Sequence, residues 1–149
     1  MTVNRTAYKL IWCSLLLTAT AAFGQAIDVV VLNGKNGHAI RNAEVWVQFY
    51  EAPTSRKHNR IEYKTGPDGV AHIQLPAPPP AHLTLSASAN PFYPGYENVA
   101  TADIVSQGAV SQCDPKASRS TRTPVPGEVA FFLCRVPWWV RVLAPLVRG

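Results

Sequence analysis

The chain has 149 residues, with 14 Lys and Arg against 9 Asp and Glu, a formal charge of +5, and 47% hydrophobic residues. That length suits one domain with a real core. So small a basic surplus, to which Arg5 and Lys9 at the N-terminus contribute, is ordinary solubility charge and argues against a nucleic-acid partner.

Residues 1–24 read as a secretory signal peptide. Arg5 and Lys9 supply the positive start and Leu10 to Leu17 the apolar stretch. Ala22-Phe23-Gly24 places small side chains ahead of a cleavage site before Gln25. The apolar run falls short of the about 20 residues that cross a bilayer. Cys13 stands before the Leu run rather than at the cleavage site, which argues against a lipoprotein. The expectation is an exported protein, periplasmic or extracellular, with a domain over 25–136 and a tail over 137–149.

Past the signal the dominant period is two. Ile27, Val29 and Val31 alternate with Asp28, Val30 and Leu32, and a strand apolar on both faces belongs in the middle of a sheet. Asn33-Gly34-Lys35-Asn36-Gly37 turns the chain. Ala43, Val45, Val47 and Phe49 then alternate with Glu44, Trp46, Gln48 and Tyr50, which predicts a half-buried strand with two aromatics outside.

Pro53 to Arg60 is a polar, basic loop, and Ile61 to Lys64 a short strand. Thr65-Gly66-Pro67-Asp68-Gly69 is a tight turn, after which Ala71, Ile73 and Leu75 form the inner face of another strand. Pro76 to Pro80 stops pairing, since proline has no N–H to donate. Leu83, Leu85 and Ala87 carry the next strand, and Asn90 to Glu97 reads as an aromatic loop.

Thr101 to Gln107 has the form of a short helix capped by Thr101 and stopped by Gly108. Lys116 to Gly127 is rich in Ser, Thr, Pro and Arg and reads as a mobile loop. Glu128 to Val136 is the most apolar strand and should sit centrally. Short strands at regular spacing with little helix predict an all-β, antiparallel β-sandwich of about seven strands. Pro137 to Arg148 is a short basic-aromatic tail.

In an oxidising compartment Cys113 and Cys134 read as a disulfide, ahead of two free thiols and of a metal site, because neither has a His or second Cys at ligand spacing.

Two stretches carry a resemblance. Ile27–Val47 combines an apolar strand, the Asn-Gly-Lys-Asn-Gly turn and Ala39-Ile40-Arg41-Asn42-Ala43-Glu44-Val45. Thr65–Leu75 reads Thr-Gly-Pro-Asp-Gly-Val-Ala-His-Ile-Gln-Leu. Together they resemble the carboxypeptidase regulatory-like domain, a transthyretin-like (prealbumin-type) sandwich with Ig-like architecture. That family opens on Pro-Ile-x-Gly-Ala-x-Val and repeats a Thr-Asp-x-Asp-Gly-x-Phe turn. Here Ala39-Ile40 replaces Pro-Ile, and Asn42 stands where glycine is usual.

The resemblance implies a fold and is almost silent on activity. An enzyme of the same superfamily, the hydrolase of 5-hydroxyisourate, has a His in its first strand and ends in Tyr-Arg-Gly-Ser. This chain has Asp28 in that strand and ends Leu146-Val147-Arg148-Gly149, so no catalytic residue is carried over.

The chemical motifs agree with a binding role. No Gly-x-Ser-x-Gly elbow or phosphate-cradling Gly-rich loop occurs. His38, His58, His72 and His82 lack the i, i+2 spacing that puts two imidazoles on one strand face. No catalytic, cofactor-binding or metal residue is assigned. The candidate interaction surface comprises Trp46, Tyr50, Phe92, Tyr93 and Tyr96, with Trp138 and Trp139 in the tail.

The expected function is a non-enzymatic module that recognises a protein, an envelope component or a polysaccharide. Its alternatives are an envelope structural protein held at a membrane surface by the tail and a divergent transthyretin-type hydrolase. The tail's Trp, aliphatic and Arg residues suit a peripheral membrane contact or docking back onto the domain.

Overall fold

A computed structural model of the chain describes residues 24–50, 58–113, 120–137 and 140. The stretch up to residue 23 that reads as a signal peptide, most of the basic loop before Arg60, and both Trp138 and Trp139 lie outside the described residues, as do the side chains of Tyr50 and His58.

Eight strands and one short helix follow in chain order. They are β1 (Ala26–Asn33), β2 (Glu44–Tyr50), β3 (His58–Lys64), β4 (Val70–Gln74), β5 (His82–Ser88), β6 (Gly95–Ala100), α1 (Thr101–Ser106), β7 (Ala109–Gln112) and β8 (Glu128–Leu133). They form two four-stranded sheets, β4-β1-β8-β7 and β3-β2-β5-β6.

Period-two patterning places the core between the sheets. Ile27, Val29 and Val31 of β1, Ile73 of β4 and Val129, Phe131 and Leu133 of β8 face Val45 and Val47 of β2 and Leu83 and Leu85 of β5; each is at most 1% exposed. Their partners one residue along, Glu44, His72 and Gln74, lie in water. The first sheet has a second apolar face: Val30, Leu32, Ala130 and Phe132 form a separate buried cluster with Val70 and Val110 packed on it. That is why β1 and β8 are apolar on both faces and sit at the centre of their sheet.

Three expectations are corrected. The sandwich has eight strands rather than about seven, and its first sheet is mixed rather than antiparallel. The added strands are β6 and β7, whose residues alternate poorly. β8 pairs in parallel with both β1 and β7. Parallel neighbours need a crossover of a dozen or more residues, and Cys113 to Gly127 supplies it. The Ser120 N–H donates to the Gly34 carbonyl at 3.2 Å, the Gly127 N–H to the Ile104 carbonyl at 2.8 Å, and Arg122 pairs with Glu128 at 2.8 Å. The described part of the segment read as mobile is therefore tied down at both ends.

The third correction is local. Ala100 rather than Thr101 is the N-cap of α1, and the Thr101 hydroxyl instead donates to the Pro80 carbonyl. Gly108 ends the helix as expected. Its φ is +77°, and a Cβ there would fall 2.1 Å from the Val125 carbonyl oxygen of the crossover. Only glycine fits both demands.

Cys113 follows β7 and Cys134 follows β8, and the two are bonded with their Cα atoms 5.6 Å apart. The bridge joins the ends of two adjacent parallel strands and closes the crossover between them.

Candidate ligand-binding face

The face of the second sheet turned away from the core is built by alternation. Because Val45, Val47, Leu83 and Leu85 point inward, Trp46 and Gln48 of β2 and Thr84 and Ser86 of β5 point outward. Register then sets the rows. Trp46 stands beside Ser86, and Ser86 beside Tyr96 on β6. In the next row Arg60 of β3 stands beside Gln48, Gln48 beside Thr84, and Thr84 beside Asn98.

Trp46 and Tyr96 thus rise on the same face two strands apart, roughly 10 Å at the usual inter-strand spacing, with a serine between them. They flank a groove of about 220 Å³ lined by Trp46, Gln48, Arg60, Thr84, Ser86, Ser88, Pro94 and Tyr96. Its floor is hydroxyl and amide. The Arg60 guanidinium lies over the Trp46 ring, 3.6 Å from its centroid, a cation–π contact reached diagonally across the β2–β3 pair. Tyr96 is 68% exposed, the most exposed large hydrophobic residue described.

The aromatic residues singled out from sequence separate into groups. Trp46 and Tyr96 share this groove. Phe92 is half-buried and packs against the main core, and its backbone bridges Arg135. Tyr93 is 44% exposed, and its N–H donates to the Cys134 carbonyl at 2.9 Å. Arg60, Gln48, Thr84 and Ser86 were missed, although the outward positions of β2 and β5 are legible from their alternation. What the sequence hides is that β6 continues this sheet and carries Tyr96 on the same face.

A second, larger cleft of about 680 Å³ opens near the end of β5, where Ile40, Arg41, Asn42 and Glu44 face Ser88 to Phe92 and Val136. On the far side of the molecule Asp28 and His72 are cross-strand neighbours. The His72 Nδ1 lies 2.7 Å from Asp28 Oδ1 on an open surface. The hydrogen bond to Asp28, then its charge, raise the His72 pKa above the ordinary 6.5. Among the described residues no group of three or more His, Cys, Asp or Glu is placed to hold a metal ion, and no helix is long and apolar enough to cross a membrane.

No protein-family model matches the chain, and no curated protein matches it. Among solved structures it is similar to catechol 1,2-dioxygenase from Acinetobacter sp. ADP1 inhibited by bound mercury, at 17% identity and a TM-score of 0.45 over 80% of this chain. The chain spans 55% of the length of that enzyme chain, and no site residue is carried over from it.

Proposed function

We propose that this protein is an exported, non-enzymatic binding module on a transthyretin-like sandwich, and that its ligand face is the outer surface of β3-β2-β5-β6. The observation that carries the reading is the groove between the Arg60–Trp46 stack and exposed Tyr96. A large aromatic left in water beside hydroxyl and amide groups is the composition of recognition surfaces, which combine a rigid aromatic anchor with polar groups that fix orientation.

Two further observations support the frame and the compartment. Asn42, at the position where the resembled pattern has glycine, has a φ of +55°, so that position asks for a left-handed backbone. The Cys113–Cys134 bond is compatible with an oxidising compartment.

The test has two arms. Intact-mass measurement of protein recovered from the exported fraction should give a chain beginning at or near Gln25. Retention of that protein on isolated cell envelopes should fall when Arg60→Gln and Tyr96→Ala are combined, with the thermal midpoint unchanged. Full-length chain in the cytoplasm, or retention indifferent to both substitutions, would overturn the proposal.

A further inference from the structure

Resting on the binding-face reading above, we infer that the groove takes an acidic glycan, a chain of sugar rings with carboxylates at intervals, laid across β2, β5 and β6. Its size comes first. At about 220 Å³ it is smaller than the roughly 300–1,000 Å³ pockets that engulf a compact ligand. It suits a chain that passes through and leaves both ends in water.

The lining gives the chemistry. Ser86, Thr84 and Ser88 hydroxyls and the Gln48 amide both donate and accept hydrogen bonds, which matches a ligand covered in hydroxyl groups. Sugar rings also have a face of C–H groups, and the negative face of an aromatic ring receives it. Tyr96, 68% exposed at one wall, offers that surface.

Trp46 does something different, because Arg60 already lies on it. The ring restrains the guanidinium at this position, which reduces the side-chain freedom that binding would otherwise cost. Among the described residues Arg60 makes no ion pair. A planar guanidinium so held matches a carboxylate in two-point contact.

The surrounding charges decide how acidic the ligand is. Glu62 stands beside Trp46, and Glu44 beside Lys64, on the same face. Among the described residues of this face two carboxylates stand against two cations, which is not the run of several cations that meets a phosphate backbone. One restrained Arg among hydroxyls instead fits a carboxylate spaced along an otherwise neutral chain.

The experiment uses the exported protein and two uronate glycans, hyaluronan oligosaccharides and oligogalacturonates, each alongside its carboxyl-reduced neutral form. Binding is followed by calorimetry and by the Arg60 Nε–H and Trp46 indole resonances. At least one acidic glycan should bind and shift both resonances. Its affinity should fall at least tenfold on carboxyl reduction, with Arg60→Gln and with Tyr96→Ala, while all variants melt with the wild type.

Equal binding of the neutral form, with Arg60→Gln silent, overturns the acidic assignment. Failure to bind either uronate glycan overturns the inference. If envelope retention still depends on Arg60 and Tyr96 in that case, the binding-face proposal stands and only the ligand class falls. If retention is indifferent as well, both fall.

Discussion

The hydroxyl of Thr65 stands 2.7 Å from the carbonyl oxygen of Ile40 and donates to it across 25 residues of chain. The Thr65 hydroxyl oxygen in turn accepts the Ala43 N–H at 2.9 Å, and the Thr65 N–H donates to the Ala43 carbonyl at 3.0 Å. Thr65 is 2% exposed, so this one side chain fastens the entry of β2 to the exit of β3 away from water. Thr65→Val keeps the shape and orphans the buried Ala43 N–H and the half-buried Ile40 carbonyl, which should cost about 1–3 kcal/mol and lower the melting temperature by several degrees. Thr65→Ser should retain most of the stability. Equal melting of the valine and serine variants would refute the role of the hydroxyl.

Asn42 offers a backbone test. Its φ of +55° lies in the region that costs a non-glycine residue about 1–3 kcal/mol, with Asn near the low end. Asn42→Gly should leave the thermal midpoint equal or higher, and Asn42→Val should lower it clearly. A valine variant as stable as the parent would mean that this position is not held left-handed in solution.

The Asp28–His72 pair sets a pH dependence. Because the folded state raises the His72 pKa, the pair contributes stability that is fully present below the ordinary value of 6.5 and is lost as pH rises through the raised one. NMR titration should find His72 titrating above 6.5, and Asp28→Asn should move it down. An unchanged His72 titration in that variant would dissolve the pairing.

Gly95 controls how closely β6 approaches the core. A Cβ added there would fall 2.8 Å from Phe131 Cδ1 and 3.2 Å from Leu133 Cδ2. Overpacking of this kind typically costs 1–3 kcal/mol, so Gly95→Ala should destabilise the domain. It should also shift the neighbouring Tyr96 resonances, because the strand must lift. A variant with parental stability and unmoved Tyr96 signals would mean that β6 sits further from Phe131.

Reduction of Cys113–Cys134 releases a loop with a sequence separation of 21. On the chain-entropy account that loop is worth about 3 kcal/mol. The Cys113→Ala, Cys134→Ala double variant should therefore melt well below the oxidised protein and close to the reduced one. Peptide mapping that recovers two alkylatable thiols from the native protein would remove the basis for this expectation.

Much of the sandwich was legible because alternation is strong where burial is one-sided. Val45 and Val47 against Glu44 and Gln48, and Leu83 and Leu85 against Thr84 and Ser86, fix their own facing. β6 and β7 were not legible for the opposite reason. β6 runs along an edge of its sheet as Gly-Tyr-Glu-Asn-Val-Ala with no residue fully buried, and β7 as Ala-Val-Ser-Gln likewise. Their placement follows from neighbours distant in sequence. The parallel ladder was hidden for a related reason, since direction is decided by where a crossover lands rather than by side-chain pattern. The groove was half visible: Trp46 declared itself on an outward position, but the stacking of Arg60 and the nearness of Tyr96 depend on register across four strands.

The side-by-side placement of β1 and β8 has a mechanical consequence. The first and last strands run parallel through six register pairs, from Asp28–Glu128 to Asn33–Leu133, so the chain enters β1 at one end of the sheet and leaves β8 at the other. A pull between the two ends acts along the strands. It loads the backbone hydrogen bonds of the whole ladder together, as shear, instead of opening them one after another like a zip. A domain threaded in this way resists traction far better than its equilibrium stability alone implies, and a protein fixed at one end while gripping a polymer would meet that kind of load.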